Sequence, residues 1–201
     1  HSFPTRRSSD LAHTKRNRSV ESVRHAVAID ERRTMFRPQL WSQGEEYWGN
    51  PFNKAAAKPQ DVREVWFAGV HGDVGGGYPE TESGLAKIAL QWMIEQTRPT
   101  GLFYRTQTVN ELVLGRNPDK PYVAPDPHIS QHNSMTWGWS LLEFIPQWRR
   151  EDEGELRRRK LIIPFFARRL IPPGARIHQS VIDLAKGGKL PSNIPEDYLK
   201  E

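Results

Sequence analysis

The hydrophobic pattern of the chain is organised around one apolar run at residues 65–70, which ends at His71 and Asp73 and is followed by glycines at 75–77. A short, unbroken run of this kind is typical of a buried central strand in a parallel sheet. Beyond the glycines, apolar residues recur every three or four positions and predict an amphipathic helix that begins near Ser83. Strand, loop and helix make half of a parallel βαβ unit, so the pattern predicts an α/β fold in which helices flank a parallel sheet.

The predicted helix after residue 83 has an apolar face and a polar face. Its apolar positions are Leu85, Ile88, Ala89, Trp92 and Met93, and we expect Lys87, Gln91 and Glu95 to face water. The rest of the chain gives weaker signals. They predict a helix over residues 19–36, a loop over 42–61, an irregular insertion over 101–127, a helix over 132–145, two short strands within 156–170 and a loosely held tail over 186–201.

Composition narrows the classes of protein that the chain can represent. The 201 residues include no cysteine, which excludes a disulfide framework, a thiol nucleophile and a thiolate metal site. Hydrophobic residues make up 36% of the chain, so we expect a core of modest size, and no apolar run approaches the roughly 20 residues of a membrane span. The formal net charge is +5, with basic clusters at 15–18 and 157–160. Neither cluster is interleaved with aromatic residues as in single-strand binders, so we expect no nucleic-acid partner.

His71 and Asp73 stand where ligands bind in open α/β sheets, just beyond the carboxyl end of a strand. A phosphate cradle is one interpretation, but the glycines match neither G-x-G-x-x-G nor a P-loop. A metal site is another, although no third or fourth ligand stands at a recognisable spacing. Asp73 can also be the acid of a nucleophile–His–Asp triad, or a loop residue that caps the backbone amides of the glycine turn. The residues alone leave these alternatives open.

Four stretches of the chain resemble one family, and they follow the order in which that family has them. The most specific is residues 65–78 followed by 85–94; the others are 23–33 with 36–41, then 132–135, and then 177–181. Together they resemble a bacterial and fungal α/β-hydrolase family that includes the phospholipase effectors of type VI secretion and was long catalogued as a domain of unknown function. The resemblance spans roughly residues 20–185.

The resemblance implies a serine ester hydrolase of lipase or phospholipase type with a Ser-Asp-His triad. Asp73 is then the triad acid, and His178, in a loop near the end of the domain, is the histidine. His132 is the second candidate for that role, and His71 is a further candidate for the catalytic site or its pocket. The implied partners are a lipid or other ester substrate, a membrane surface and a secretion-system carrier protein. No cofactor and no metal are implied, and the protein would be made in the cytoplasm and secreted as an effector.

The motif that carries the nucleophilic serine of such a triad, G-x-S-x-G, does not occur in the 201 residues. The segment Gly138-Trp139-Ser140 lacks the closing glycine and follows no predicted strand, so we interpret Ser140 as a helix residue. Residues 1–11 read as the translation of a short-read sequencing adapter. We therefore expect a truncated α/β-hydrolase-like fold whose N-terminal strands and nucleophile elbow are missing. Residues 12–185 would be the C-terminal portion of one such domain, and this fragment alone would be inactive.

A non-catalytic module with the hydrolase fold is the alternative, in which Asp73 and His178 are structural and the protein serves in docking or toxin delivery. The distance from the Asp73 carboxylate to the rings of His178 and His132 separates the two hypotheses. A ring nitrogen within about 2.6–3.2 Å would assemble half of a triad, and the histidine in reach would be the base. If neither ring is in reach, Asp73 is better interpreted as a loop cap.

Overall fold

The structure is a computed structural model that describes residues 16–50, 52–153, 156–185, 188 and 190–201. For residues 149–153 and 156–159 it describes the backbone only. Residues 1–11, which the sequence predicts to be an adapter translation, lie outside the described residues. The chain divides into two units, one of His1–His25 with Pro38–Glu64 and the other of Ala26–Arg37 with Val65–Glu201.

The described residues form short strands and helices. The strands are β1 (Ser22–Ala28), β2 (Glu46–Tyr47), β3 (Lys58–Pro59), β4 (Asp61–Phe67), β5 (Gln147–Glu153), β6 (Leu156–Ile162), β7 (Arg176–Ile177) and β8 (Leu199–Lys200). The helices are α1 (His71–Gly75), α2 (Gly84–Thr97), α3 (Thr106–Thr108), α4 (Trp137–Leu142) and α5 (Gln179–Ala185). A π-helical turn, Val109–Val113, continues α3, and 3₁₀ turns include Thr34–Phe36 and Glu80–Glu82.

Four strands form one sheet in the order β1-β4-β7-β8. β4 pairs in parallel with β7, and β7 pairs in parallel with β8. The backbone amide of Asp61 donates to the carbonyl of Glu21, and the amide of Ile29 donates to the carbonyl of Phe67, so β1 and β4 also run in the same direction. A parallel sheet with flanking helices is the predicted α/β class.

The core of the second unit lies between β4 and α2. Its buried side chains are Val65, Phe67, Leu85, Ile88, Ala89 and Trp92. The ring of Trp92 meets that of Phe67 edge-on, with centroids 5.5 Å apart. Burying a large apolar side chain of this kind contributes about 1.5–3 kcal/mol. The predicted central strand and the helix after residue 83 are therefore confirmed, although the strand ends at Phe67 and the last residues of the apolar run form a turn.

Lys87 departs from the predicted polar face of α2. Only 8% of it is exposed. Its ammonium group pairs with the Glu80 carboxylate at 2.9 Å and donates to the backbone carbonyl of Leu112. The prediction that Lys87 faces water is wrong, because the segment after α2 returns to cover this side of the helix. Glu95, by contrast, is exposed as predicted.

The helix predicted over residues 19–36 is wrong. Ser22–Ala28 forms β1, and Thr34–Phe36 forms a 3₁₀ turn. The apolar spacing of the segment suits one face of a helix, but β1 instead pairs with β4 in the sheet and buries Val27 and Ala28. A partner distant in sequence therefore overrides the local pattern.

Other predictions differ from the structure in extent. The helix predicted over 132–145 is limited to α4, and the loop predicted over 42–61 contains the antiparallel pair of β2 and β3 in the first unit. Within 156–170 the structure has one strand, β6, which pairs antiparallel with β5. The predicted tail contains β8, whose parallel pairing with β7 ties the last residues to the main sheet.

Candidate active site

The candidate site lies where the chain leaves β4. After Phe67 the chain turns through Gly69, which has φ +97°, and enters the short helix α1 at His71. A Cβ added at Gly69 would lie 2.4 Å from the Asp73 Cβ and 2.6 Å from its Oδ2. Glycine suits both this left-handed backbone and this close approach, so Gly69 lets Asp73 fold back over the end of the strand.

Asp73 is a buried acid with both carboxylate oxygens hydrogen-bonded. Only 2% of the residue is exposed. Its Oδ2 accepts from the backbone amides of Val70 at 2.9 Å and His132 at 3.2 Å. Its Oδ1 bonds Nδ1 of His132 at 2.6 Å, a short distance that is typical of a charge-assisted bond. Asp73 therefore caps its own turn and also orients the ring of His132.

The ring of His132 is held by three side chains. Its Nδ1 bonds Asp73, and its Nε2 bonds a carboxylate oxygen of Glu82 at 2.8 Å. The ring of Tyr78 stacks on the imidazole, with centroids 3.5 Å apart and an angle of 9° between the planes. A Cβ at Gly72 would lie 2.6 Å from the Tyr78 ring, so glycine at that position makes room for the stacking.

Two carboxylates on one imidazole determine its protonation state. An ionised carboxylate only accepts hydrogen bonds, so a ring that bonds Asp73 and Glu82 together carries protons on both nitrogens. The pKa of His132 is raised above its ordinary value, first by the hydrogen bond to Glu82 and also by the bond and charge of Asp73, which together outweigh desolvation. The Nδ1 of His132 thus faces a buried acid and its Nε2 faces a half-exposed one, and both contacts favour the protonated ring.

Comparison with known proteins relates this chain to one family. Residues 2–96 match the family model described as the type VI secretion system (T6SS) phospholipase effector Tle1-like catalytic domain. This match covers just under half of the chain, so it shows a similarity of residues 2–96 to the Tle1-like family. No curated protein and no solved structure matches the chain. The matching model is that of a phospholipase effector's catalytic domain, so the similarity indicates, at a coarse level, a hydrolase of phospholipase type with a lipid substrate.

The Tle1-like match includes some of the site residues and not others. It covers Asp73, Tyr78 and Glu82 but ends at residue 96, before His132. The assignment of His132 to the site therefore depends on its contacts in the structure.

His178, the predicted triad histidine, has other partners. Its ring stacks on that of Phe67 with centroids 4.5 Å apart, and its Nδ1 bonds the hydroxyl of Ser180 at 2.9 Å. Burial lowers the pKa of His178. Within the part of the chain that the structure describes, no hydrogen bond joins His178 to Asp73. The histidine that the structure brings to Asp73 is His132, the second candidate of the sequence analysis.

His71 takes part in the site through its backbone. The residue is exposed at the start of α1, with its ring 5.3 Å from that of Phe36. Its amide donates to Oε2 of Glu31 at 3.2 Å. Among the described residues, no three His, Asp or Glu side chains are grouped so that they could hold a metal ion.

Glu31 belongs to the same network, although the sequence pattern did not reveal it. The structure buries the carboxylate of Glu31 among Arg33, Ser134 and the His71 amide. Burial would raise the pKa of Glu31, but the hydrogen bonds outweigh it and lower the pKa to about 2. One signal could have identified Glu31: it closely follows the carboxyl end of β1, the neighbour of β4.

Aromatic residues of α4 and the segment after it are largely on the surface. Trp137 is 81% exposed and Phe144 is 54% exposed, while the ring of Trp139 packs edge-on against Phe36 at 5.7 Å. The hydroxyl of Ser140 donates to a backbone carbonyl one turn earlier, as expected of a helix residue. No helix among the described residues is long and apolar enough to cross a membrane.

Proposed function

We propose that this chain supplies the acid and the histidine of a Ser-His-Asp triad in a serine ester hydrolase of phospholipase type. Asp73 is the acid and His132 is the histidine. The observation that supports this proposal is the 2.6 Å bond between the buried Asp73 carboxylate and Nδ1 of His132. This bond is the acid–histidine half of a triad, in which the acid fixes the tautomer and the orientation of the ring.

In the proposed reaction Nε2 of His132 takes the proton of the serine hydroxyl as that oxygen attacks the ester carbonyl. The same nitrogen then returns the proton to the leaving alcohol, and Asp73 stabilises the imidazolium that exists between these steps. The geometry supports these roles because Nδ1 faces the buried acid, so Nε2 is the ring nitrogen that does not bond Asp73.

Glu82 occupies the position at Nε2 that the serine hydroxyl needs. Its carboxylate side chain is 52% exposed, so it can rotate into water when another group approaches the ring. In the proposed enzyme Glu82 leaves Nε2, the Nε2 proton passes to water, and the serine hydroxyl then takes the place of Glu82. No G-x-S-x-G elbow occurs in the 201 residues, so we infer that the nucleophile comes from sequence outside them and that this chain alone turns over no ester.

The substrate of the proposed reaction is a phospholipid or a related ester. The Tle1-like family supports this choice, whereas the fold alone would not, because one fold hosts many substrates. Contact with a membrane surface that presents the lipid remains a prediction. Binding to a carrier protein of the secretion system remains a prediction as well.

The test uses a longer protein in which a Tle1-like segment with a G-x-S-x-G elbow precedes residue 20. Hydrolysis of a soluble p-nitrophenyl ester and of phosphatidylcholine vesicles is measured for Asp73→Asn, His132→Ala and two comparison variants. Loss of the acid or of the histidine is expected to lower kcat about 10³–10⁴-fold. His128→Ala is the matched control, because His128 is exposed four residues before His132.

His178→Asn separates the two candidate histidines. We expect it to keep the activity of the parent once the folded fraction is allowed for, because the ring of His178 bonds Ser180 and stacks on Phe67. Full activity in Asp73→Asn or His132→Ala would overturn the proposal. No activity in the elbow-bearing protein with an intact site would favour the docking or delivery module.

A further inference from the structure

The carboxylate of Glu31 is the most heavily hydrogen-bonded group near the proposed catalytic pair. Its side chain has no exposed surface. Its Oε1 accepts from the Arg33 amide, from Arg33 Nε and from the Ser134 hydroxyl at 2.8–2.9 Å. Its Oε2 accepts from Arg33 Nη2 at 2.8 Å and from the His71 amide at 3.2 Å. A buried charge with this many donors is fixed in place, because breaking any of the bonds in a dry site is costly.

Two of these donors belong to the segments that carry the proposed catalytic residues. His71 stands two residues before Asp73, and Ser134 stands two residues after His132. Ser134 is itself buried, with 8% of its surface exposed. The Glu31 carboxylate therefore lies between the loop that presents the acid and the loop that presents the histidine, and it bonds both.

Asp30, the neighbour of Glu31, makes further hydrogen bonds to the segment that carries Asp73. Its Oδ2 accepts from the amide of Gly69 at 2.8 Å, and its own amide donates to the Gly69 carbonyl at 3.0 Å. The turn between β4 and α1 is thus tied at Gly69 by Asp30 and at His71 by Glu31. The segment that carries His132 is bonded to Glu31 through the Ser134 hydroxyl.

We propose that Glu31 is a positioning residue that sets the distance and the angle between Asp73 and His132 by anchoring both of their segments to the end of β1. This inference rests on the proposed function of the pair, and it adds a residue that touches neither substrate nor reacting atoms. Small displacements matter for such a pair, because an error of about 1 Å in a catalytic group can cost about 10²-fold in rate.

A purely structural role for Glu31 makes a different prediction. If Glu31 only stabilised the fold, its removal would lower the melting temperature and leave the Asp73–His132 bond in the folded molecules unchanged. If Glu31 positions the pair, the folded molecules of a variant have a longer Asp73–His132 bond. The Nδ1 proton of His132 reports that bond directly, and the titration of the ring reports it together with the bond to Glu82.

The first experiment uses the 201-residue chain and needs no activity. Nitrogen-15 NMR of the histidine rings is recorded against pH for the parent, Ser134→Ala and Glu31→Gln, with His132→Ala to assign the signal. We expect both variants to lose the downfield Nδ1 proton resonance of His132 and to move its titration midpoint down towards the ordinary value for histidine. Ser140→Ala is the matched control, because that hydroxyl bonds only a backbone carbonyl in the same stretch of chain.

Ser134→Ala keeps the test decisive if Glu31→Gln fails to fold, because it removes one tie and leaves the Glu31–Arg33 pair in place. A His132 titration in folded Ser134→Ala that matches the parent and Ser140→Ala would overturn the proposal. In the elbow-bearing protein we expect Ser134→Ala to lower kcat about 10- to 100-fold with little change in KM.

The two proposals can fail separately. If Asp73→Asn and His132→Ala abolish hydrolysis while Ser134→Ala changes neither the titration of His132 nor kcat, Glu31 is only structural and the proposed function stands. If Asp73→Asn keeps full activity while Ser134→Ala still shifts the His132 titration, Glu31 positions the pair but the pair is not the catalytic one.

Discussion

The buried Glu31 carboxylate makes the stability of the chain depend on pH in the acid range. Its pKa is lowered from an ordinary 4.5 to about 2, so the folded state holds this acid ionised where the unfolded chain would protonate it. A lowered folded-state pKa contributes stability that is present above the unfolded value and is lost as the pH falls towards the folded value. The contribution of Glu31 is therefore complete at neutral pH and declines between about pH 4.5 and pH 2.

The size of the effect follows from the shift. Each pKa unit corresponds to about 1.4 kcal/mol, so the shift from 4.5 to about 2 is worth on the order of 3 kcal/mol at pH 7. At pH 3 about 1 kcal/mol of that remains, and the loss between the two pH values is about 2 kcal/mol. A domain of this kind has a free energy of unfolding of about 5–15 kcal/mol, so a loss of this size is measurable.

The assay is urea unfolding of the parent and of Glu31→Gln at pH 7 and pH 3, followed by tryptophan fluorescence. Trp66 is a suitable reporter because only 1% of it is exposed in the folded state. We expect Glu31→Gln to be less stable than the parent at pH 7 and this difference to shrink by about 2 kcal/mol at pH 3. Glu196→Gln is the control, because it removes an exposed carboxylate and should leave the pH dependence of the parent unchanged.

One outcome would refute the reasoning. If the free energies of unfolding of the parent and of Glu31→Gln fall in parallel between pH 7 and pH 3, the Glu31 carboxylate does not titrate with a lowered pKa in the folded state. The hydrogen bonds that surround it would then not favour its ionised form.

Three further substitutions test single contacts of the second unit. Gly69→Ala would place a Cβ 2.4 Å from that of Asp73 and should lower the free energy of unfolding by about 1–3 kcal/mol in urea titrations. Glu82→Gln removes the largest contribution to the raised pKa of His132, so the His132 ring should titrate at a lower pH by NMR. In the parent the stability that the pair adds is present in acid and is lost as the pH rises, and in Glu82→Gln this contribution should be smaller. Lys87→Met should lower the melting temperature by calorimetry, consistent with a cost of about 1–2 kcal/mol, because Glu80 loses its partner; an unchanged value in any of the three would contradict the contact concerned.

The parts of the fold that could be predicted are those in which the local pattern and the tertiary environment agree. The run at residues 65–70 is uniformly apolar because β4 is covered by α2, and the helical spacing after Ser83 is the face that covers it. β1 was predicted as a helix because the spacing of its apolar residues suits a helix as well as a strand. Only the pairing of β1 with β4 decides between the two. The burial of Lys87 depends on contacts with a segment more than twenty residues away along the chain. The residue pattern of the helix itself therefore could not predict it.

The same distinction explains the candidate site. Asp73 could be identified because its strand, its glycines and its place at a strand end are adjacent in sequence. The choice between His132 and His178 could not be made, since both lie in loops near the end of β4 and the decision depends on which ring reaches the Asp73 carboxylate. Glu31 was overlooked because an acid next to arginines suggests a surface pair, and its burial follows from β1 being a strand.

The two carboxylates on His132 connect the geometry of the site to its proposed chemistry. A general base needs an unprotonated Nε2, yet Glu82 is hydrogen-bonded to that nitrogen. The same hydrogen bond is the largest cause of the raised pKa of the ring. Displacing Glu82 would therefore uncover Nε2 and lower the affinity of the ring for its second proton in one step. Asp73, which is buried and bonded at both oxygens, would stay in place throughout and keep Nδ1 protonated. The pair is consequently arranged so that the departure of Glu82, with release of the Nε2 proton to water, would leave Nε2 as a base for an approaching hydroxyl without any change in the acid.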